Sequence, residues 1–137
     1  MALTKSVIKN LIYDVTGAAI EVHQLTGPGL LESVYQRCLA KELELRGIAF
    51  RQEVSVPVIY KGLEINTALR CDFFVEGCLV VELKAVETIH PVHEAQILTY
   101  LKLLEVPKGI LINFNVANIV KEGQRAFVTE AYRNLPV

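Results

Sequence analysis

The sequence predicts a mixed-sheet α/β (α+β) fold of order α-α-β-β-β-α-β with a terminal β-strand. Three observations carry this expectation. Apolar residues recur at three- and four-residue steps from Thr4 to Arg46, the helical period. The pattern then switches to a two-residue alternation between Phe50 and Val86. A stretch opened by Pro91 leads into Lys108–Phe114, a short and almost wholly apolar run. An apolar run after a helix is the mark of a buried strand added in parallel by a crossover.

The chain has 137 residues, of which 52% are hydrophobic. That is enough for one domain over 1–137 with a core of its own, and it excludes disorder. No apolar run reaches the ~18 residues of a membrane span. Met1-Ala2-Leu3-Thr4-Lys5 lacks a signal-peptide apolar region, so a cytoplasmic location is expected. Cys38, Cys71 and Cys78 show no CxxC spacing and read as reduced core thiols. A formal net charge of -1 argues against tight, non-specific binding to a nucleic-acid backbone, yet allows a locally basic cleft.

The first helix runs from Thr4 to about Leu25. Val7, Ile8, Leu11, Ile12, Val15, Ala19, Val22 and Leu25 form its stripe. Thr4 or Ser6 can cap it, and Gly27-Pro28-Gly29 stops it. Gly17 in its interior costs about 1 kcal/mol against alanine, so it is expected to mark a close contact. The second helix spans about Leu30–Arg46, with Pro28 near its first turn and Gly47 as its stop. Leu31, Val34, Cys38 and Leu45 form one stripe, and Glu32, Tyr35 and Leu39 a neighbouring one. Glu32 has a structural explanation, since an acid at a helix start complements the dipole.

Phe50–Tyr60, Leu63–Val75 and Cys78–Val86 read as an antiparallel meander with a turn at Lys61-Gly62. Pro57 places the first strand at an edge or on a bulge. The third helix runs from Pro91 to about Glu105. Ala95, Leu98, Leu101 and Leu104 make its apolar stripe, and His93, Gln96 and Tyr100 lie on another face. His90 and His93 are three apart, so a transition-metal pair is conceivable, although no third ligand stands at useful spacing. Ile119-Val120, a turn at Lys121-Glu122-Gly123 and a short strand Gln124–Val128 close the chain.

The unusual feature is the hairpin Arg70–Lys84, turning at Glu76-Gly77. It carries Asp72, Glu82 and Lys84 among apolar residues. Charges there must be exposed, paired or functional. Glu82 and Lys84 share one face, with Val81 and Leu83 on the other. A two-residue loop would pair Asp72 with Val81 and send it away from Glu82. A three-residue loop or a bulge would set Asp72 opposite Glu82. Two carboxylates that close repel each other unless a divalent cation lies between them, and hard oxygen ligands suit Mg²⁺ or Mn²⁺. Lys84 could then hold an attacking water or neutralise charge on a phosphate. The plainer alternative is a solvent-facing sheet with a Glu-Lys pair.

Several stretches in one order carry a resemblance. They are Gly29-Leu30-Leu31-Glu32-Ser33-Val34-Tyr35 (G-x-x-E-x-x-Y), Tyr60-Lys61-Gly62, Glu82-Leu83-Lys84-Ala85-Val86-Glu87, the run Pro91–Lys102, and Leu111-Ile112-Asn113-Phe114. Over about residues 5–128 the chain resembles the GxxExxY protein family of the PD-(D/E)XK nuclease superfamily. The resemblance implies a restriction-endonuclease-like core. It implies metal ligation by Asp72 and Glu82, with Glu32 as the extra acid, and Lys84 as the catalytic lysine. Gln96 and Tyr100 match the Q-x-x-x-Y signature of the RecB-like branch, whose helix lines the active site.

Two functions follow. One is a Mg²⁺- or Mn²⁺-dependent nuclease acting on DNA more readily than RNA, with catalytic residues Glu32, Asp72, Glu82, Lys84, Gln96 and Tyr100. Arg37, Lys41, Arg51 and Lys102 would touch phosphates. The other is a non-catalytic nuclease-fold module that assembles with itself or a partner. Apolar surface left over on the first helix would serve such a homo-oligomer.

Overall fold

The computed structural model describes residues 2–137. In chain order its elements are α1 (Lys5–Thr26), α2 (Glu32–Leu45), β1 (Phe50–Ser55), β2 (Val58–Tyr60), β3 (Leu63–Ile65), β4 (Arg70–Val75) and β5 (Leu79–Lys84). There follow α3 (Pro91–Leu104), β6 (Lys108–Asn113), a π-helical turn (Ile119–Gly123), β7 (Gln124–Val128) and α4 (Glu130–Arg133). The expected mixed α+β architecture holds. Five strands form one sheet in the order β1-β4-β5-β6-β7. Only the β5–β6 pair is parallel, as the crossover through α3 requires.

Alternation along β5 builds both faces of the sheet. Val81 and Leu83 join Phe73, Ile110 and Ile112 beneath α1 and α2. Val80 and Leu111 lie beneath Ile97, Tyr100 and Leu101 of α3. Gly109 makes that second packing close, because a Cβ there would lie 2.9 Å from Leu101 Cδ2. Among the described residues no helix is long and apolar enough to cross a membrane.

Thr4 caps α1, its hydroxyl oxygen accepting from the Val7 N–H at 3.1 Å. Gly17 is a close contact as expected: a Cβ there would lie 3.0 Å from Arg46 Nη1. The α1 stripe from Ile8 to Val22 is buried, while Leu25 stands exposed at its end. Tyr13 is exposed as well, and Ile12 and Ile20 are only partly buried.

Four expectations need correction. First, α2 begins at Glu32, so Pro28 lies in the preceding loop rather than the first helical turn. Second, α2 buries Tyr35, Leu39 and Leu43, and leaves Leu31, Val34 and Leu45 exposed. Its rotation follows Tyr35, whose ring stacks on Phe114 with centroids 4.5 Å apart. Third, α3 buries Ile97, Tyr100 and Leu101 rather than the stripe through Ala95 and Leu98. Fourth, the first two strands of the meander break. Val56-Pro57 ends β1, since proline has no N–H to extend a ladder, and residues 66–69 precede β4. The pieces beyond, β2 and β3, pair with each other as a separate two-stranded ribbon.

The π-helical turn packs against the end of β6. A Cβ on Gly123 would collide with the Asn113 carbonyl oxygen and crowd Val116 and Ile119. Gly123→Ala is expected to lower the unfolding free energy by about 1–3 kcal/mol. Urea unfolding checks this, with a lower midpoint at an unchanged slope.

Candidate active site

The β4–β5 turn decides the site. Glu76 and Gly77 both adopt left-handed backbone, with φ 51° and 68°. The Cys78 N–H closes this turn on the Val75 carbonyl at 3.1 Å. The ladder then pairs Val75 with Leu79, not with Cys78. Cys78 is therefore one residue more than a simple two-residue hairpin needs, and the register shifts by one. Phe73 faces Val81, so Asp72 comes opposite Glu82. There the backbone ladder yields to side chains. The Asp72 N–H donates to Glu82 Oε2 at 3.3 Å, and the Leu83 N–H donates to Asp72 Oδ2 at 2.8 Å.

Glu82 is only 4% exposed. Burial raises its pKa far above the ordinary carboxylate range, and a hydrogen bond shared with the Asp72 carboxyl and the Asp72 charge push the same way. Lys84 opposes these effects without balancing them. The Cys71 thiol is pushed up to about 12 by burial, then by Glu82 and Asp72. It stays a thiol at neutral pH and offers no nucleophile. Tyr100 of α3 is also pushed up to about 12, by burial first and then by Glu82 and Asp72. Its hydroxyl remains a donor beside the carboxyl pair.

Glu32 opens α2 and is half-buried. Burial raises its pKa, Lys84 lowers it, and Asp72 and Glu53 raise it further. The charges of Glu32, Asp72, Glu82 and Lys84 thus act on one another. The G-x-x-E-x-x-Y spacing has a physical basis. Gly29 takes φ 101°, which disfavours other residues. Tyr35, one turn after Glu32, donates its hydroxyl to the Gly27 carbonyl at 2.6 Å and accepts the Leu30 N–H at 3.1 Å. The tyrosine braces the loop that sets the start of α2, and with it Glu32.

On α3, half-buried Gln96 lies one turn before Tyr100. His93 lies one turn before Gln96, and its pKa is lowered by burial, then by Lys84 and His90. His93 Nδ1 accepts the His90 N–H at 3.1 Å. That bond caps the helix and takes up one of the nitrogens that a His90–His93 metal pair would draw on. Of the proposed phosphate contacts, Lys41 pairs with Glu44 at 3.9 Å and Arg51 stacks on Phe74 at 5.3 Å. Arg37 lines a groove between α1 and α2, and Lys102 a groove beside β7. Lys84 is the cation whose charge reaches Glu32 and Glu82.

Two residues had escaped the sequence reading. Glu53 has φ 51° and stands across β1 from Asp72, between the pairs Gln52–Phe73 and Val54–Cys71. Its place in an alternating polar run gave no sign of this. Buried Asn113 accepts the Val86 N–H at 3.1 Å and donates to the Val86 carbonyl at 2.9 Å, fixing the chain just beyond Lys84. A polar residue inside an apolar strand was the available signal.

The donor set fits a hard divalent cation. Two facing carboxyls, Glu82 buried and Asp72 half-buried, supply hard oxygen donors on one face beside Lys84. Among the described residues no three His, Cys, Asp or Glu side chains ring a common point, so the site as it stands is a carboxyl pair with Glu32 alongside. Grooves of about 610 Å³ and 560 Å³ lie elsewhere, beside β7 and beside the α1 N-terminus.

The chain matches the family profile described as the PD-(D/E)XK nuclease superfamily over residues 9–126. No curated protein and no solved structure matches it.

Protonated Glu82 links stability to pH. Its folded pKa lies above the unfolded value of 4.5, so the folded state holds more protons at neutral pH. The stability from this group is complete below that value and is lost as pH rises through neutrality. In EDTA, Glu82→Gln is expected to flatten this decline and to raise stability near pH 8 by about 1–3 kcal/mol. Thermal unfolding between pH 5 and pH 9 checks it. A wild-type curve parallel to the variant's would contradict it.

Proposed function

Because the chain belongs to the PD-(D/E)XK nuclease superfamily, we propose that it hydrolyses phosphodiester bonds in nucleic acid, DNA in preference to RNA. Within the superfamily we infer the GxxExxY family and the RecB-like branch, from the G-x-x-E-x-x-Y and Q-x-x-x-Y residues. The reading rests chiefly on one observation: Asp72 and Glu82 meet across a register that a one-residue bulge creates.

Asp72, Glu82 and Glu32 would hold Mg²⁺ or Mn²⁺. Such an ion, when bound, supplies a Lewis acid and an acidified water. The remaining chemistry belongs to the chain. Lys84 orients the water or offsets charge on the phosphate. Tyr100 keeps its proton and can donate to the carboxyl pair or to a phosphate oxygen, and Gln96 positions the backbone beside it. A polymer backbone suits a site lying outside the larger grooves, where a small molecule would not be enclosed.

The second reading, a non-catalytic self-assembling module, drew on apolar surface left over on α1. Most of that stripe is buried, with Tyr13 and Leu25 left exposed, and what favours the catalytic reading is the Asp72–Glu82 pair.

The test is cleavage of closed-circular, linear duplex and single-stranded DNA, and of RNA, in millimolar Mg²⁺ or Mn²⁺. Wild type is expected to cleave DNA and to stop in EDTA. Asp72→Asn, Glu82→Gln and Lys84→Met should each slow it by about 10²-fold or more. Variants as active as wild type, or a wild type inert on every substrate, would contradict the proposal.

A further inference from the structure

The β2–β3 ribbon takes no part in the chemistry described so far. Lys61 and Gly62 turn it with φ 49° and 84°, the left-handed pair of a two-residue hairpin. Val58 pairs with Ile65 and Tyr60 with Leu63, so these four side chains share one face. That face is wholly apolar, and Tyr60 and Leu63 are each 61% exposed. Ile59 and Glu64 occupy the opposite face. An isolated two-stranded ribbon is marginal in water without something packed on it.

The ribbon's place suggests what covers the face. Its root is anchored: buried Val56 donates its N–H to the Leu69 carbonyl at 3.0 Å, and Arg70 Nη1 donates to Ser55 Oγ at 2.7 Å. Both legs leave the end of the main sheet where β1 finishes and β4 begins, and Asp72 is the third residue of β4. The ribbon is thus joined through its second leg to β4, the strand that carries Asp72.

Size and charge choose the occupant. Two strands of three residues present a face of about 10 Å by 10 Å. A stable dimer takes about 800 Å² from each partner, far more than this face offers. It would accommodate one or two stacked bases. The ribbon's charges, Lys61 and Glu64, cancel, so its hold on a nucleic acid would come through base faces rather than phosphates, and base faces are open only where strands are unpaired. Lys61 Nζ lies 5.4 Å from the Tyr60 ring centroid, which places a cation beside an aromatic face. Aromatic stacking with a neighbouring cation is how single strands are held.

We propose that the face formed by Tyr60, Leu63, Val58 and Ile65 binds unpaired bases and leads a single strand to the carboxyl pair. This rests on the nuclease reading and narrows its substrate to single-stranded or frayed ends. The test is fluorescence anisotropy in EDTA, where no cleavage occurs, with a labelled thymidine 20-mer and a blunt 20-base-pair duplex. Wild type is expected to bind the single strand at least about tenfold tighter than the duplex. Y60S/L63S should weaken single-strand binding about tenfold or more, since stacking contributes about 1–3 kcal/mol per base. Duplex binding should not change. Ile59→Ser, on the opposite face, should bind like wild type, and matching melting curves would show that all variants fold. Single-strand binding that survives Y60S/L63S overturns the proposal while leaving the nuclease reading intact. So does a wild-type dimer in sedimentation that Y60S/L63S dissociates, because a second copy would then cover the face. Wild type that neither binds nor cleaves any nucleic acid overturns both.

Discussion

The crossed hydrogen bonds between Asp72 and the Glu82-Leu83 step are the constraint on which the site depends. In an ordinary hairpin those backbone groups would bond across the ladder. Here each carboxyl group accepts a backbone N–H of the other strand. One added residue at Cys78 sets this register, and a slip of one residue would exchange Glu82 for Val81. Burying an acid is unfavourable. The apolar neighbours Val81, Leu83 and Phe73 hold the strands in place on the opposite side of the sheet.

The other elements bring their groups to this pair by distinct means. Tyr35 braces the loop before α2, and Glu32 is the first residue after it. The crossover through α3 lays Tyr100 over the pair and carries Gln96 and His93 on preceding turns. The parallel β6 strand ends in Asn113, whose amide holds the chain just beyond Lys84. Helix start, crossover and strand end thus converge near the C-terminal end of β5, the central strand of the sheet.

Much of this was legible in the sequence because local chemistry dictated it. Glu76-Gly77 announced the turn, while Asp72 and Glu82 left two registers open, of which the structure has the one that sets them opposite each other. The apolar run Lys108–Phe114 after a helix announced the parallel strand. What stayed hidden depended on tertiary packing. The buried faces of α2 and α3 are rotated from their most apolar stripes, because Tyr35 packs on Phe114 and Tyr100 lies over the carboxyl pair. A long alternating run does not reveal that Pro57 breaks it into strand and ribbon. Nor does it reveal that Glu53 turns left-handed across from Asp72. Alternation reports a face, not a break in it.

The most direct measurement is calorimetric titration of Mn²⁺ into the full chain, alongside Asp72→Asn and Glu82→Gln. The account predicts saturable binding by wild type that both variants lose. No binding by wild type, or binding that both variants retain, would contradict the claim that the Asp72–Glu82 pair is built for a cation.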